Sequence, residues 1–177
     1  KILEVGCSSG FMLETFKRLG HQCHGIEPSG LFSADLLANG IKLFKDLDHI
    51  LDENGPEQYD LICHFFVLEH IKEPIRFLKG QIELLRNGGK IIFEIPNIAD
   101  PLVSIFDIPE FERFYWSKAH PWYFSERSCS FILNQLGCDY KFLIDQRYDL
   151  SNHISWALDR KPGGQSRFKN LIGEELE

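Results

Sequence analysis

The sequence lacks the features that mark several classes of protein. No apolar run approaches the roughly 20 residues that a membrane-spanning helix needs, and no signal peptide, internal repeat or low-complexity segment is visible. No cluster of lysine and arginine stands out against the formal net charge of −7. We therefore expect neither a membrane nor a nucleic acid as a partner. The sequence leaves the oligomeric state open.

The cysteines and histidines also lack the spacing that indicates cross-links or metal ligands. None of the five cysteines forms a Cys-x-x-Cys pair, and their number is odd. We interpret them as reduced thiols of a cytoplasmic protein and not as a disulfide or zinc framework. The seven histidines are scattered, with no His-x-x-x-His pair on a credible helix. We therefore expect no metal site.

The composition is that of an ordinary globular protein. The chain has 177 residues, of which 44% are hydrophobic and 25% charged. This length suits one domain with a true core, spanning residues 1–177. Because the chain starts at Lys1, already inside a predicted strand, we expect a further segment upstream of it.

Short apolar strands alternate with amphipathic helical patterns over the first half of the chain. The predicted strands are 1–5, 22–26, 41–44, 59–65 and 90–95, and helices are predicted to begin after the first loop, at Pro28 and at Pro74. An acidic loop is predicted at Asp46 and Asp48, and a turn at Asn54-Gly55-Pro56. The alternation predicts an α/β fold with a doubly wound, mostly parallel sheet and helices on both faces.

Regularity falls after the fifth predicted strand. Residues 98–124 are rich in aromatic side chains and interrupted by prolines, which is typical of a lid or a binding loop. Ser125 is predicted to cap a helix, and residues 139–147 are predicted to form a further strand. We expect residues 150–177 to be irregular.

The opening stretch, Lys1 to Phe11, joins an apolar strand, a loop bounded by two glycines and the start of a helix. Gly6 and Gly10 allow a sharp turn and close approach of a ligand. The loop aims backbone N–H groups and the positive end of the helix at that ligand. The second strand ends at Glu27, about 20 residues after the loop begins, where a carboxylate can accept hydrogen bonds from both hydroxyls of a ribose. These features predict a nucleoside-containing ligand.

Four segments, in order, resemble one family. They are Leu3-Glu4-Val5-Gly6-Cys7-Ser8-Ser9-Gly10, Gly25-Ile26-Glu27-Pro28-Ser29, Tyr59-Asp60-Leu61-Ile62 with Val67-Leu68-Glu69-His70-Ile71, and Leu85-Arg86-Asn87-Gly88-Gly89 through Pro96-Asn97. The chain thereby resembles class I S-adenosylmethionine-dependent methyltransferases of types 11, 12 and 23, near the ubiquinone-biosynthesis and sugar-methylating branches. The resemblance covers roughly residues 1–137. It departs from the family pattern where Ser8 replaces the middle glycine.

The resemblance implies a Rossmann-like sheet of the seven-stranded type, which we expect to be truncated at both ends, and S-adenosylmethionine as the cofactor. The cofactor-binding residues that it implies are Glu4, Gly6, Cys7, Ser8, Gly10, Phe11, Glu27, Pro28, Asp46, Leu47, His64 and Phe65. Glu27 would hold the ribose, and Asp46 would approach the adenine amino group. The alternatives are a tight turn without a ligand, ordinary solvated acids, and core packing of the phenylalanines after His64.

The candidate catalytic residues are His120, Tyr123 and His70. The segment from His120 to Ser125 resembles one that lies near the acceptor pocket in sugar and small-molecule methyltransferases. A histidine of near-neutral pKa suits removal of a proton from the acceptor, although His120 could instead cap the next helix. Tyr115 and Tyr123 could line the acceptor pocket or form a hydrophobic plug. The turn that contains His70 is more often structural.

The leading hypothesis is a methyltransferase (EC 2.1.1.-) whose acceptor is a small molecule such as a sugar, a quinone-like compound or another metabolite. One alternative is a non-catalytic binding module with the same fold. The other is an NAD(P)-binding oxidoreductase domain, whose fingerprint requires glycine at positions 6, 8 and 11. Ser8 and Phe11 argue against that fingerprint.

Overall fold

The computed structural model describes residues 1–54 and 59–172. The chain divides into two compact units, Lys1–Ile95 and Pro96–Glu177, and a single domain over residues 1–177 therefore remains a prediction. The turn predicted at Asn54-Gly55-Pro56 lies largely outside the described residues. No helix of the described ranges is long and apolar enough to cross a membrane.

The first unit is built on a five-stranded parallel sheet with the strand order β3-β2-β1-β4-β5. The strands are β1 (Ile2–Val5), β2 (Cys23–Ile26), β3 (Lys42–Phe44), β4 (Tyr59–Phe65) and β5 (Leu85–Glu94). The helices are α1 (Phe11–Arg18), α2 (Ser33–Ala38), α3 (Leu47–Asn54) and α4 (Pro74–Leu84), with a 3₁₀ turn at Leu68–His70. The predicted parallel α/β fold is confirmed.

Two apolar cores cover the two faces of this sheet. Ile26 of β2 and Phe44 of β3 belong to one core, whereas Cys23, which is also in β2, belongs to the other. Successive side chains of a strand point to opposite faces, so the two cores lie on opposite sides. The first core includes residues of α3 and α4, and the second includes residues of α1 and α2. Helices therefore pack on both faces, as predicted.

The strand order places a topological switch point at β1. This strand pairs with β2 on one side, where Val5 lies opposite Ile26, and with β4 on the other, where Glu4 lies opposite Cys63. In open α/β sheets, ligands bind outside the carboxyl ends of the strands at such a switch point. The loop that follows β1 therefore occupies the favoured ligand position of the fold.

Two predicted boundaries in the first half of this unit are wrong for local reasons. Helix α2 begins at Ser33 and not at Pro28, because Gly30 adopts a positive φ of 68° that interrupts helical geometry. The acidic loop predicted at Asp46 and Asp48 is the start of α3. There the Asp46 carboxylate accepts a hydrogen bond from the backbone N–H of His49 at 2.8 Å. This is a helix N-cap arrangement.

Strand β5 also begins earlier than predicted, at Leu85 instead of Lys90. Leu85 pairs with Tyr59, and the register then shifts before Leu61. Gly88, with a φ of 78°, lies within this irregular segment. Gly88 and Gly89 therefore lie in an irregular, bulge-like part of an extended strand.

The second unit is helical. It contains α5 (Pro101–Ser104), α6 (Pro109–Tyr115), α7 (Glu126–Gln135), α8 (Leu150–Asp159) and α9 (Lys169–Ile172). One apolar cluster among its described residues contains Leu102, Ile108, Phe111 and Trp156. Residues 98–124 thus include two short helices, and their role as a lid remains a prediction.

The predicted cap of α7 is confirmed, since the Ser125 hydroxyl accepts a hydrogen bond from the Ser128 N–H at 3.2 Å. The predicted strand over residues 139–147 is wrong. Within the described part of the chain this segment pairs with no strand, and Leu143 and Ile144 are 82% and 85% exposed. Without a neighbouring strand, this segment cannot form the backbone hydrogen bonds of a sheet, whatever its alternating pattern.

The prediction of an irregular tail is wrong for residues 150–159. Asp149 caps α8 by accepting a hydrogen bond from the Asn152 N–H at 2.7 Å. The Asn152 side chain in turn donates to the Gly163 carbonyl at 2.8 Å. These polar contacts fix the helix and the turn that follows it, and hydrophobic periodicity alone does not reveal them.

Candidate functional site

The loop after β1 follows a backbone path that glycine favours. Gly6, Ser8 and Gly10 have positive φ values of 73°, 47° and 75°. The Gly6 N–H donates to the Ile26 carbonyl at 2.8 Å, and the Gly10 N–H donates to the Cys7 carbonyl at 2.7 Å. Ser8 therefore holds a left-handed conformation that costs about 1 kcal/mol for a residue with a side chain.

Neighbouring side chains explain why two positions of this loop exclude a side chain. A Cβ added at Gly6 would lie 2.7 Å from Val67 Cγ2, and one added at Gly10 would lie 2.1 Å from Leu36 Cδ2. These contacts support the alternative that the glycines serve the fold itself. The local sequence pattern does not reveal this role of Val67, because the role is a contact between distant segments.

Glu27 connects the loop after β1 with the loop after β2. Its two carboxylate oxygens accept hydrogen bonds from the Ser8 N–H and from the Ser29 N–H, each at 2.9 Å. Burial raises the pKa of Glu27, but these hydrogen bonds outweigh it and bring the pKa below its ordinary value. Glu27 is therefore ionised at neutral pH. A carboxylate has about four acceptor positions, so it retains capacity for further donors.

The amino terminus of α1 follows directly after this loop. The helix begins at Phe11, whose side chain is 78% exposed. Pro28 and Ser8 are exposed as well, whereas Cys7 is buried in the core against α1. The predicted cofactor residues of the first two loops are therefore of two kinds: an exposed group, and a supporting group whose side chains are buried under the loop.

Glu4 belongs to the supporting group. Its side chain is buried in β1, with 8% of its surface exposed. Burial raises the pKa of Glu4 to about 7, and a hydrogen bond from the backbone of Leu13 opposes this increase. Since Leu13 lies in the first turn of α1, the Glu4 carboxyl anchors the helix whose end faces the candidate site.

Replacing Glu4 with glutamine should make the protein more stable at alkaline pH. Between pH 4.5 and about 7, folded Glu4 keeps a proton that the unfolded chain has released, so wild-type stability falls as the pH rises. Glutamine does not ionise. We expect the variant and the wild type to be equally stable near pH 4, and the variant to gain about 3 kcal/mol by pH 8.

Urea unfolding at pH 4, 6 and 8 measures this difference. Because both proteins share every other titratable group, the difference between their free energies of unfolding isolates the contribution of Glu4. A difference that does not change with pH would contradict the burial of an ionisable Glu4.

Asp46 and Leu47 follow β3 on the same carboxyl edge of the sheet. Asp46 is exposed and caps α3 through its Oδ1 atom. Leu47 is half-buried and packs against the first core. A role for Asp46 near an adenine ring therefore remains a prediction, whereas the contacts of Leu47 are those of a packing residue.

His64 lies in the core and not on a ligand-accessible surface. Its side chain is fully buried, stacks on Phe93 with ring centroids 5.1 Å apart, and meets the Phe77 ring edge-on at 5.5 Å. Neither ring nitrogen has a hydrogen-bond partner among the described residues. Burial lowers the pKa of His64 to about 4. The prediction that His64 contacts the cofactor is therefore not supported, because the pleat directs its ring towards α4.

Replacing His64 with phenylalanine should stabilise the protein by about 1 kcal/mol at pH 7, since it removes buried polar atoms while keeping the stacked ring. His64→Asn is the matched control, because it keeps a polar group but loses the ring. We expect this control to lose about 2 kcal/mol. Thermal and urea unfolding measure both changes. A loss in the phenylalanine variant equal to that of the asparagine variant would show that the imidazole makes polar contacts in solution.

The end of β4 and the turn after it contain four further residues of interest. Phe65 is half-buried, and Phe66 has a φ of 56°, an uncommon conformation for a bulky residue. Glu69 is buried, which raises its pKa above the ordinary value. His70, the predicted catalytic candidate of this turn, is exposed. Phe66 is thus a strained residue at the switch point that no sequence signal revealed.

The second unit holds the other catalytic candidates in an aromatic cluster. The Tyr123 ring lies next to Tyr115, Trp116 and His120, with centroid distances of 5.4, 4.5 and 5.6 Å. The Tyr123 hydroxyl accepts from the Ser117 N–H at 2.5 Å and donates to the Tyr115 carbonyl at 3.1 Å. This hydroxyl therefore holds the loop together, which disfavours Tyr123 as a base.

His120 is half-buried, and its backbone N–H donates to the Ser117 carbonyl at 3.1 Å. Ser125 and Ser128 form the cap of α7 through a reciprocal pair of hydrogen bonds. The alternative that His120 caps this helix therefore loses its basis. A catalytic role for His120 remains a prediction.

Comparison with known proteins adds a family relationship. A family model described as "Methyltransferase domain" matches residues 1–141. A ubiquinone biosynthesis O-methyltransferase from Yersinia pestis (strain Pestoides F) is 28% identical over 103 residues, which is 55% of this chain and 43% of that protein. The chain thus spans less than half the length of the curated relatives that it matches.

Solved structures share the fold. A SAM-dependent methyltransferase from Archaeoglobus fulgidus aligns with a TM-score of 0.59 and 17% identity, covering 93% of this chain and 81% of that one. The plantazolicin methyltransferase BpumL in complex with SAH aligns with a TM-score of 0.58 and 23% identity, covering 76% and 54%. At these identities the likeness concerns the fold.

Proposed function

Because the chain belongs to the methyltransferase domain family, we propose that it is an S-adenosylmethionine-dependent methyltransferase that acts on a small-molecule acceptor. The observation that carries the proposal is the position of Glu27. Its ionised carboxylate joins the glycine loop to the loop after β2, at the switch point of the sheet. Sugars, quinone-like compounds and other metabolites are the acceptor classes that we consider.

The residues present fit this cofactor. Glu27 would accept hydrogen bonds from the ribose hydroxyls with its remaining acceptor positions. The backbone from Gly6 to Gly10 and the positive end of α1 would hold the amino-acid part, with a carboxylate at the helix terminus. Asp46 would approach the adenine. The bound cofactor would supply a methyl group on a positively charged sulfur, which is the electrophile of the reaction.

The protein would contribute mainly the orientation of the two reactants. His120 would accept a proton from an acceptor that is weakly acidic. The side chain of His120 is half-buried beside Tyr123, which supports a fixed ring position. A cytoplasmic location is part of this proposal, supported by five free cysteines.

Calorimetric titration with S-adenosylmethionine and with NAD tests the proposal. We expect saturable binding of S-adenosylmethionine and none of NAD. Binding of NAD alone would overturn the proposal in favour of a dinucleotide-binding domain. Binding of neither would overturn it in favour of a non-catalytic module. Binding of S-adenosylmethionine without turnover on sugars, quinols or related metabolites would leave the cofactor assignment standing and reject the acceptor classes.

Replacing His120 with alanine should reduce turnover about 100-fold or more, as expected for loss of a general base. Affinity for S-adenosylhomocysteine should change less than twofold, since His120 would face the acceptor. His153→Ala in α8 is the matched histidine control and should retain full turnover. The measurements are methyl-transfer rates and calorimetric affinities. Loss of cofactor affinity in His120→Ala would move this residue out of the acceptor site.

A further inference from the structure

Strand β5 forms one edge of the sheet in the first unit. The strand order places β4 on one side of β5, and among the described residues no strand pairs with its other side. The opposite edge of the sheet, β3, is three residues long, whereas β5 spans ten. A long edge strand presents a row of backbone N–H and C=O groups that favours pairing with a further strand. The edge formed by β5 is therefore the larger candidate surface for pairing.

The backbone groups of Ile91 and Phe93 face the outer side of β5. The Glu94 carbonyl accepts a hydrogen bond from the Phe66 N–H at 2.9 Å, at the end of β4. Successive residues of a strand direct their backbone groups to alternate sides. Glu94 and the alternate residues before it are therefore directed towards β4, whereas Ile91 and Phe93 are directed away from it. A strand that joined this edge would exchange hydrogen bonds with Ile91 and Phe93.

The side chains of Lys90, Ile92 and Glu94 share one face of β5, because they alternate along the strand. Lys90 is exposed, Ile92 is 52% exposed, and Glu94 is half-buried. The residues between them point to the opposite face, where Ile91 packs against the first core. One face of the edge strand therefore carries, in order, a cation, an exposed apolar side chain and an anion.

We propose that two copies of this chain pair through the β5 edge as antiparallel strands, with a twofold axis at Ile92. In this register Ile92 lies opposite Ile92 of the partner subunit, and each Lys90 lies opposite a Glu94. The edge is thus complementary to itself, as a twofold interface requires. Apolar pairs and opposite-charge pairs stabilise adjacent strands, whereas like charges oppose pairing. A register centred on Lys90 or on Glu94 would place like charges opposite each other.

The paired region is short. It is confined by the irregular segment around Gly88, whose φ is 78°, and by the end of β5 at Glu94. Specific, stable interfaces bury about 1,200 Å² or more, which one pair of short strands does not reach. We therefore expect a weak dimer that dissociates on dilution. The inference stands on the register and charges of β5, and it does not depend on methyl transfer.

Sedimentation equilibrium of the whole chain over about a hundredfold range of concentration tests the proposal. We expect a reversible monomer–dimer equilibrium without larger species, because a twofold contact closes on itself. Lys90→Glu and Glu94→Lys should each weaken the dimer about tenfold or more, since each places two like-charged pairs across the axis. Lys79→Glu in α4 is the matched control, because it changes the net charge as Lys90→Glu does but lies outside β5. It should associate as the wild type does.

Mixing Lys90→Glu with Glu94→Lys gives the sharpest result. One copy then presents two anions and the other two cations, so both cross-strand charge pairs become attractive. We expect the mixture to form a dimer at least as tight as that of the wild type, although each variant alone associates weakly.

A wild type that stays monomeric at every concentration overturns the proposal. Equal association of Lys90→Glu and Lys79→Glu overturns it, as does a mixture of the two β5 variants that stays monomeric. If Glu94→Lys lacks a folded circular dichroism spectrum, Ile92→Lys replaces it among the single variants, because it places two cations at the axis. Undiminished association of Ile92→Lys also overturns the proposal.

Discussion

Replacing Glu27 with alanine should weaken S-adenosylmethionine binding about 100-fold, equivalent to about 3 kcal/mol. Two losses contribute. The ribose would lose its charged acceptor, and the loops after β1 and β2 would lose the carboxylate that accepts from the Ser8 and Ser29 N–H groups. Calorimetry with S-adenosylmethionine measures the change directly.

Two comparison variants sharpen this experiment. Glu27→Gln keeps one carbonyl acceptor but loses the charge, so its affinity should lie between those of the wild type and the alanine variant. Glu73→Ala removes an exposed acid that precedes α4, and its affinity should be unchanged. Wild-type affinity in Glu27→Ala would mean that Glu27 only organises the loops and that the cofactor binds elsewhere.

Replacing Gly10 with alanine should destabilise the protein by about 3 kcal/mol or more. Gly10 has a φ of 75°, and an added Cβ would lie 2.1 Å from a side-chain carbon of Leu36. Leu36 is fully buried, so it has little room to move. Strain and overpacking therefore act together, and urea unfolding measures their sum.

Gly20→Ala is the matched control for this variant. Gly20 also has a positive φ, 91°, but an added Cβ would find no atom within 4 Å. We expect it to cost only the backbone strain, about 1 kcal/mol. The difference between the two variants measures the packing of Leu36 against the glycine loop. Equal costs would show that the helix can shift away and that close packing does not select glycine at position 10.

The elements of the first unit could be predicted because their signals are local. Apolar strands, the glycine loop and the amphipathic helical patterns lie within the elements that they define. The start of α2 was missed because Gly30 acts through its φ value, which the helical periodicity does not reveal. The strand predicted over residues 139–147 fails for another reason: a strand needs a pairing partner, and the sequence pattern contains none.

The part of the candidate site that depends on the spacing between motifs could be predicted from the sequence. The spacing between the glycine loop and Glu27 predicted a ribose-binding carboxylate, which stays a prediction, and it did not reveal the hydrogen bond from the Ser8 N–H to Glu27 that the structure shows. The position of His64 near a strand end suggested an exposed side chain, whereas the structure buries it. Alternation along β4 gives the correct answer, since His64 shares a face with the buried Ile62. Residues such as Val67 and Phe66 act through tertiary contacts or backbone strain, which no local pattern encodes.

A crystal structure of the chain with S-adenosylhomocysteine would show directly whether Glu27 holds the cofactor. We expect both ribose hydroxyls to lie within hydrogen-bond distance of the Glu27 carboxylate, and the amino-acid part to lie against the backbone from Gly6 to Gly10. A ligand bound away from this loop, or a ribose that makes no contact with Glu27, would contradict it.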